Sequence, residues 1–456
     1  MPFTKLEHFA YEKVAESHLP GMSIAVIKDG KVVWTRSFGF KSIEQSTAAT
    51  PDSLYCIGSV SKSFTAIAIM QLVEQGKLNL TDSIDQYVPF NVKPKGENIT
   101  IEQLLSHTSG IPALGFAESV IKSALGDNSQ NLPAGSYEDL ITFMKDAEDW
   151  VQNKPGERWY YLNEGYEMLA WIVEKCSGLP FVEYVNENIL KPLGMENSSY
   201  KKEDLVTHAE FATPYIVAPE GKRIPTTYPF GLVDGAGGVV SSVNEMAKYV
   251  SMFIQRGEFE GKRLLSEELI EEMETPRIPT PHLGSPYGSY DYCLGLGTMA
   301  DFHGYKLVGH SGSVGSATAY MGYVAEKKAG VVVLANGSGY SPSLIGEYAL
   351  ALAIDVDPDT LDFVKKEKIY KTLSGQYEGY MGTIKQRIRA AGDFLIAESS
   401  DKYDKSMTPL VPIEITEKYC TFFTLSGGRR SIVEFMIKND EVEAIIERYA
   451  YRKVGK

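Results

Sequence analysis

Residues 57–64 read Ile57-Gly58-Ser59-Val60-Ser61-Lys62-Ser63-Phe64, and Phe64, Ile67, Ala68, Leu72 and Val73 continue at helical spacing up to Gly76, a suitable C′ residue. A serine and a lysine three apart at the start of such a helix lie on one face, one turn apart. Serine alone is a poor nucleophile and needs a base within hydrogen-bond reach. A lysine serves if burial or a neighbouring cation depresses its pKa. The positive end of the helix dipole helps, because it disfavours an ammonium and favours an alkoxide. The pair Ser59 and Lys62 is therefore the candidate nucleophile and base. The spacing alone is a common coincidence, so other features must agree with it.

Upstream, Phe3, Leu6, Phe9 (or Ala10), Val14 and Leu19 recur near helical spacing, which predicts a helix over 3–19. Met22–Ile27 and Val32–Phe38 are apolar and β-rich around Asp29-Gly30, the signature of a hairpin with a type I′ turn. Downstream to about residue 215 the pattern is helical with long loops. Thr100 is a candidate N-cap with Gln103 at the third position. Helices are expected over 166–176, stopped by Gly178, and over 181–190, opened by Pro180. Strand character returns at Gly237-Gly238-Val239-Val240. A helix is expected over 244–255, and strands over 292–297, 305–309 and 317–335, with Gly330–Ala335 central. A last helix is expected over 344–354. The class is α/β (α+β): one antiparallel sheet built from both ends of residues 1–355, flanked by helices, with a helical lobe inserted.

Residues 355–366 are polar, contain Pro358 and read as a linker. Beyond it, Phe422–Leu425 and Ile432–Ile437 flank Gly427-Gly428, and Val442–Tyr451 follows Asn439-Asp440. Hairpins this close predict a separate all-β, barrel-like domain over 367–456.

Two further segments carry chemistry. Pro155–Tyr166 contains Tyr161 and Asn163 as a Tyr-x-Asn element just ahead of a helix. A tyrosine there could act as a base if a cation held it as phenolate. Asn163 could donate to a substrate carbonyl and orient the lysine. Gly309-His310-Ser311-Gly312-Ser313 places a His-x-Gly triplet on an expected strand. Gly312 would let a substrate approach the strand closely, and the Ser313 amide could join that of Ser59 in holding an oxyanion. A lone histidine such as His310 is more often structural.

The order Ser-x-x-Lys, Tyr-x-Asn, His-x-Gly resembles the serine β-lactamase and penicillin-binding protein superfamily. The likeness is to its class C-like branch of D-stereospecific peptidases, D,D-carboxypeptidases and esterases. Leu104–Ile111, Lys191–Met195 and Gly235–Ser241 are similar to phrases of that branch, and the resemblance spans residues 10–350. It implies that Ser59 forms an acyl-enzyme, that Lys62 and Tyr161 take and return the proton, and that Asn163 and His310 line the site. It places the Ser59 and Ser313 amides on the oxyanion, and treats His107 as structural. Where β-lactamases of the branch carry Lys-Thr-Gly, this chain has His310-Ser311-Gly312, the form the resemblance associates with D,D-peptidases and D-aminopeptidases. The C-terminal segment resembles the lipocalin-like domains attached to some of these peptidases, archaeal ones included. Such a domain restricts access or supports a homo-oligomer.

The expected function is a serine hydrolase acting on small peptides or amides with a D-residue beside the scissile bond. Esterase or β-lactamase activity, and a sensor that acylates without turnover, are the alternatives. Intact Lys62 and Tyr161 favour the enzyme over the sensor.

The totals narrow the partners. The chain has 456 residues, 43% hydrophobic and 23% charged, with a net charge of −14. That acidity disfavours nucleic acid and anionic membranes. Cys56, Cys176, Cys293 and Cys420 form no C-x-x-C pair, and Cys56 reads as packing. No signal peptide or long apolar span is apparent, which predicts a cytoplasmic protein. Gly295-Leu296-Gly297-Thr298-Met299-Ala300 matches a dinucleotide fingerprint, but Asp301-Phe302-His303-Gly304 breaks the helix it requires. No Gly-x-Ser-x-Gly elbow and no metal motif occurs, so no cofactor or metal is expected.

Overall fold

The computed structural model describes residues 3–127, 135–231, 233–280, 289–400, 405–439 and 441–455. Asp440, half of one expected turn, lies outside them. The chain divides into two compact units, Met1–Val356 and Asp357–Lys456.

The first unit is built on a nine-stranded antiparallel sheet. Its interior strand Ala329–Ala335 is buried along its whole length, as a run of Val and Ala at a sheet centre must be. That strand pairs on one side with Thr318–Val324 and on the other with Gly21–Lys28, so the two ends of the unit meet in mid-sheet. The N-terminal strand returns as Lys31–Ser42 through Asp29 (φ 52°) and Gly30 (φ 71°). Two successive positive φ values are what a type I′ turn demands.

Helices cover both faces. A Cβ on Gly330 would meet Val250 and Ile254 of the helix Val243–Ile254. A Cβ on Gly346, in the helix Pro342–Ala353, would meet Val331. Neighbouring strand residues point to opposite faces, so these two helices sandwich the strand. The helical lobe lies in sequence between the short strands Tyr55–Cys56 and Val240–Ser241, which pair with each other. Its buried side chains merge with those under the sheet into one apolar core. Thr100 opens the helix Ile101–Leu105 with the full reciprocal capping box.

Several expected boundaries move. Gly237 and Gly238 are not strand. Residues Asp234–Gly237 form a helical turn, and only Val240 and Ser241 pair. The turn is pressed so tightly onto a neighbouring helix that a Cβ on Gly235 would sit 2.4 Å from the Tyr166 carbonyl oxygen. Nor is 292–297 a strand: Tyr290–Tyr292 ends there, the chain turns at Gly295 (φ 73°), and Gly297–Phe302 begins. The fingerprint-like glycines are thus a connection between antiparallel strands.

The second unit is a closed eight-stranded antiparallel barrel, Gly375–Glu378 through Tyr449–Gly455, in simple sequential order. Phe422, Val433, Phe435, Ala444 and Tyr451 fill its core. The stretch read as a linker is instead ordered: Asp362–Leu373 is a helix whose Ile369, Tyr370 and Leu373 join that core. Its charged face hid an amphipathic pattern. The segment Val442–Tyr451 is two strands, broken at Glu447 (φ 55°). Gly427 and Gly428 both have positive φ, as their hairpin requires.

Candidate active site

Ser59 stands in a single 3₁₀ turn, Gly58–Val60, that runs straight into the helix Ser61–Glu74. Ile57 anchors the entry by donating its N–H to Val239 O at 2.9 Å. One turn on, Lys62 is fully buried. Its Nζ donates to Asn163 Oδ1 at 2.7 Å and Ala236 O at 2.9 Å, and lies 3.3 Å from Ser59 Oγ. Burial brings the Lys62 ammonium down to about 7, against the pull of Glu167, Glu118 and Glu164. A neutral amine keeps two N–H donors and one lone pair. The two short contacts can hold the donors, which leaves the lone pair for the Ser59 hydroxyl.

Tyr161 and Asn163 arrive on the chain entering the helix Asn163–Ser177. Asn163 is held at both ends, since its Nδ2 donates to Glu118 Oε1 at 3.2 Å. A lysine donor on the oxygen and a carboxylate on the nitrogen fix the orientation of the amide. Tyr161 lies under Lys62, with Nζ 4.7 Å from its ring centre. Burial pushes its phenol up, although a hydrogen bond with Ser59 pulls the other way. The structure therefore favours Tyr161 as a neutral phenol over the phenolate that the sequence reading allowed.

His107 supports this loop. Its Nδ1 accepts the Leu162 N–H at 3.0 Å, its carbonyl accepts the Tyr160 N–H at 2.8 Å, and its ring lies 4.1 Å from that of Tyr161. Burial, then Lys62 and His310, holds it well below its usual pKa. It is a scaffold for the Tyr-x-Asn element.

The strand Tyr305–Ser313 runs on past its last pairing with Gly297–Phe302, where Gly297 faces Gly309. Residues 310–313 thus project beyond that neighbour. His310 is buried. Its Nδ1 lies 2.6 Å from Ser311 O, which can only accept, so the ring proton sits on Nδ1. Nε2, 3.0 Å from Tyr292 Oη, then accepts from that hydroxyl. Burial, with Lys62 adding to it, lowers His310 to about 4. At neutral pH this histidine is uncharged.

Gly312 packs directly on the serine turn: a Cβ there would lie 2.0 Å from Ile57 O and 3.0 Å from Ser59 N. From the other side, a Cβ on Gly58 would lie 2.8 Å from Ser313 N. Gly58 also has φ 50°, which glycine tolerates best. These two bare glycines let the Ser59 and Ser313 amides come together. Contacts gather all seven residues singled out in the sequence around the serine turn: Lys62 and Asn163 by hydrogen bonds, Tyr161 under Lys62 with the His310 ring beside it, and Gly312 and Ser313 against Gly58 and Ser59.

Sequence reasoning missed Glu118 and Ala236. Glu118 belongs to the helix Phe116–Ala124, and nothing local in its sequence marks it. Ala236 contributes only its carbonyl oxygen, and a backbone acceptor leaves no trace in residue type. Cys56 is buried beside Gly237 and pushed up to about 12 by burial, an inert packing thiol. Among the described residues no group of three or more His, Cys, Asp or Glu could hold a metal ion. No helix among them is long and apolar enough to cross a membrane.

Comparison with known proteins places these features in a lineage. A family described as Beta-lactamase matches residues 6–355, and one described as the Pab87 octamerisation domain matches residues 358–452. The octameric penicillin-binding protein homologue from Pyrococcus abyssi is 44% identical, with a TM-score of 0.94 over 99% of this chain and all of that one. A D-stereospecific amidohydrolase from Streptomyces sp. shares the fold at 21% identity, with a TM-score of 0.63 over 75% of this chain and 96% of its own. Protein flp of Staphylococcus aureus (strain MW2) is 29% identical over 353 residues. That match takes in 75% of this chain and 64% of flp.

Proposed function

The chain belongs to the beta-lactamase family and is a serine hydrolase, and on that premise we propose that it forms an acyl-enzyme at Ser59 on small peptides or amides with a D-residue beside the scissile bond. The observation that carries this reading is Lys62, fully buried, lowered to about 7 and 3.3 Å from Ser59 Oγ. Neutral Lys62 takes the Ser59 proton as Oγ attacks the carbonyl carbon. The Ser59 and Ser313 amides receive the oxyanion. Tyr161, a phenol beside Lys62, passes a proton to the departing amine and is refilled from Lys62. Water then enters by the same route in reverse and frees the serine. Asn163 holds Lys62 in place, and His310 walls the cleft.

The D-preference rests on the triplet His310-Ser311-Gly312. A neutral His310 stands where β-lactamases of this branch carry a lysine, so that position offers no cation to a β-lactam carboxylate. This favours a peptidase over a β-lactamase.

Turnover by the wild type on a panel tests the reading. The panel holds D- and L-residue peptides, an activated short-chain ester and a chromogenic β-lactam, with peptide mass mapping to locate any adduct. The expected result is cleavage of D-residue peptides and a transient acyl group on Ser59. Cleavage of the ester alone would keep the nucleophile and remove the peptide assignment. A stable Ser59 adduct with no turnover would leave a sensor.

We further infer a homo-oligomer assembled through residues 358–452, by analogy with the octameric Pyrococcus homologue. Supporting this, the barrel turns apolar side chains outward: Val411, Ile413, Leu425 and Ile432 are 38%, 57%, 68% and 47% exposed. Val411, Phe423 and Ile432 stand in register on three adjacent strands. Such a row is covered in most soluble proteins. Sedimentation of the full chain should return several times the 50.4 kDa of one copy; a single-copy mass at micromolar concentration would sink the inference. The four free cysteines suit a reducing compartment and support a cytoplasmic address.

A further inference from the structure

Glu167 is a buried carboxyl that the mechanism above does not use. It is 2% exposed. Its Oε1 accepts the Ala236 N–H at 2.8 Å and its Oε2 the Gly235 N–H at 3.2 Å. Burying a carboxyl in an apolar core is costly, and an apolar side chain would pack there more cheaply. Two backbone donors on its two oxygens offset part of that cost.

The geometry of the helix Asn163–Ser177 supplies a reason for it. Asn163 and Glu167 are four residues apart and so share one face. Asn163 meets Lys62 directly. Glu167 meets it through a relay, since the residue whose N–H it accepts, Ala236, turns its carbonyl to Lys62 Nζ at 2.9 Å. The Thr65 hydroxyl, donating to Gly235 O at 2.7 Å, ties the same turn back to the lysine's own helix. With Asn163 Oδ1 and Ala236 O fixed, the third direction of the amine is the one toward Ser59.

We infer that Glu167 is a positioning residue: seated on the Gly235 and Ala236 amides, it holds the Ala236 carbonyl against Lys62 and so aims the lysine at Ser59. This rests on the reading of Lys62 as the base of Ser59. The titratable groups facing Lys62 are Glu164 and Glu167 from that helix, Glu118 from Phe116–Ala124, His107, His310, Tyr161 and Tyr166. Asp234 stands beside Glu167. Burial raises Glu167, and among the carboxylates that raise Lys62 it has the largest effect.

The sign of the test follows. The two backbone N–H donors on the Glu167 oxygens favour the carboxylate form that burial opposes, and removing that anion, which favours the ammonium, lets Lys62 deprotonate at lower pH. Glu167→Gln should therefore move the acid limb of kcat/KM to lower pH. Its plateau should fall about ten- to a hundredfold, the size of effect a loosened catalytic group produces. Glu167→Asp keeps the charge but shortens the reach, so its limb should stay near the wild-type position while its plateau falls. Both variants and the wild type are measured on a substrate the wild type cleaves, across about pH 5–9, with melting curves to correct for folded fraction. A purely structural Glu167 would lower only the melting temperature, and an unmoved limb and plateau in both variants would overturn the inference. A wild type without turnover would instead overturn the hydrolase reading itself.

Discussion

Lys62→Met will lower kcat/KM by about 10²- to 10⁴-fold, the range a positioned general base supplies, and will erase the acid limb expected of the wild type near pH 7. Methionine matches the lysine stem out to Cε, lacks only the terminal amine and suits a site with no solvent exposure. What it lacks is the lone pair 3.3 Å from Ser59 Oγ. In the wild type, activity should rise with pH as Lys62, lowered to about 7 by burial, loses its proton, because only the free amine can accept one. With methionine the residual rate has no such group to titrate. Two acceptors, Asn163 Oδ1 and Ala236 O, lose their donor, so a modest fall in melting temperature is expected and must be measured beside the rate. Ser59→Ala should fall to the same background or lower. The double variant should be no worse than Ser59→Ala, because the two residues act on one proton transfer. A Lys62→Met enzyme retaining the wild-type acid limb would mean that another group is the base.

Much of this site was legible in the sequence because its parts are local. Ser59 and Lys62 are bound together by helical spacing, and Tyr161 and Asn163 by their place at the next helix start. The His310–Ser313 strand carries its own glycine. Order along the chain then tied the three segments to a known superfamily. The fold was legible for the same reason where turn chemistry is strong, as at Asp29-Gly30 and Gly427-Gly428. It failed where tertiary packing decides. Gly237-Gly238-Val239-Val240 looks β-rich, yet the turn at Asp234–Gly237 is set by the Tyr166 backbone it presses on. The helix Asp362–Leu373 has mean polarity like a linker, and only the barrel reveals that Ile369, Tyr370 and Leu373 share a face. Glu118 and the Ala236 carbonyl were invisible because their role depends on neighbours distant in sequence.

Gly312→Ala should be nearly as damaging as the loss of the base, though it removes no functional group. The added methyl would lie 2.0 Å from Ile57 O and 3.0 Å from Ser59 N. Both neighbours are backbone, and Ile57 is itself tied to Val239 by its N–H. Neither can swing aside as a flexible side chain would, so the strand must withdraw. Ser313 is the next residue, and its amide withdraws with it. The two oxyanion donors would then no longer converge on one point, and losing one such donor costs about 10²–10³ in kcat. Overpacking should add a loss of stability of about 1–3 kcal/mol, visible as a lower melting temperature. Ser311→Ala, an exposed neighbour on the same strand, controls for general damage and should stay within a fewfold of wild type. The decisive quantity is kcat at saturating substrate, since an oxyanion hole acts on the transition state and leaves ground-state binding nearly unchanged. A Gly312→Ala enzyme that is folded and keeps wild-type kcat would show that the Ser59 and Ser313 amides do not hold the oxyanion.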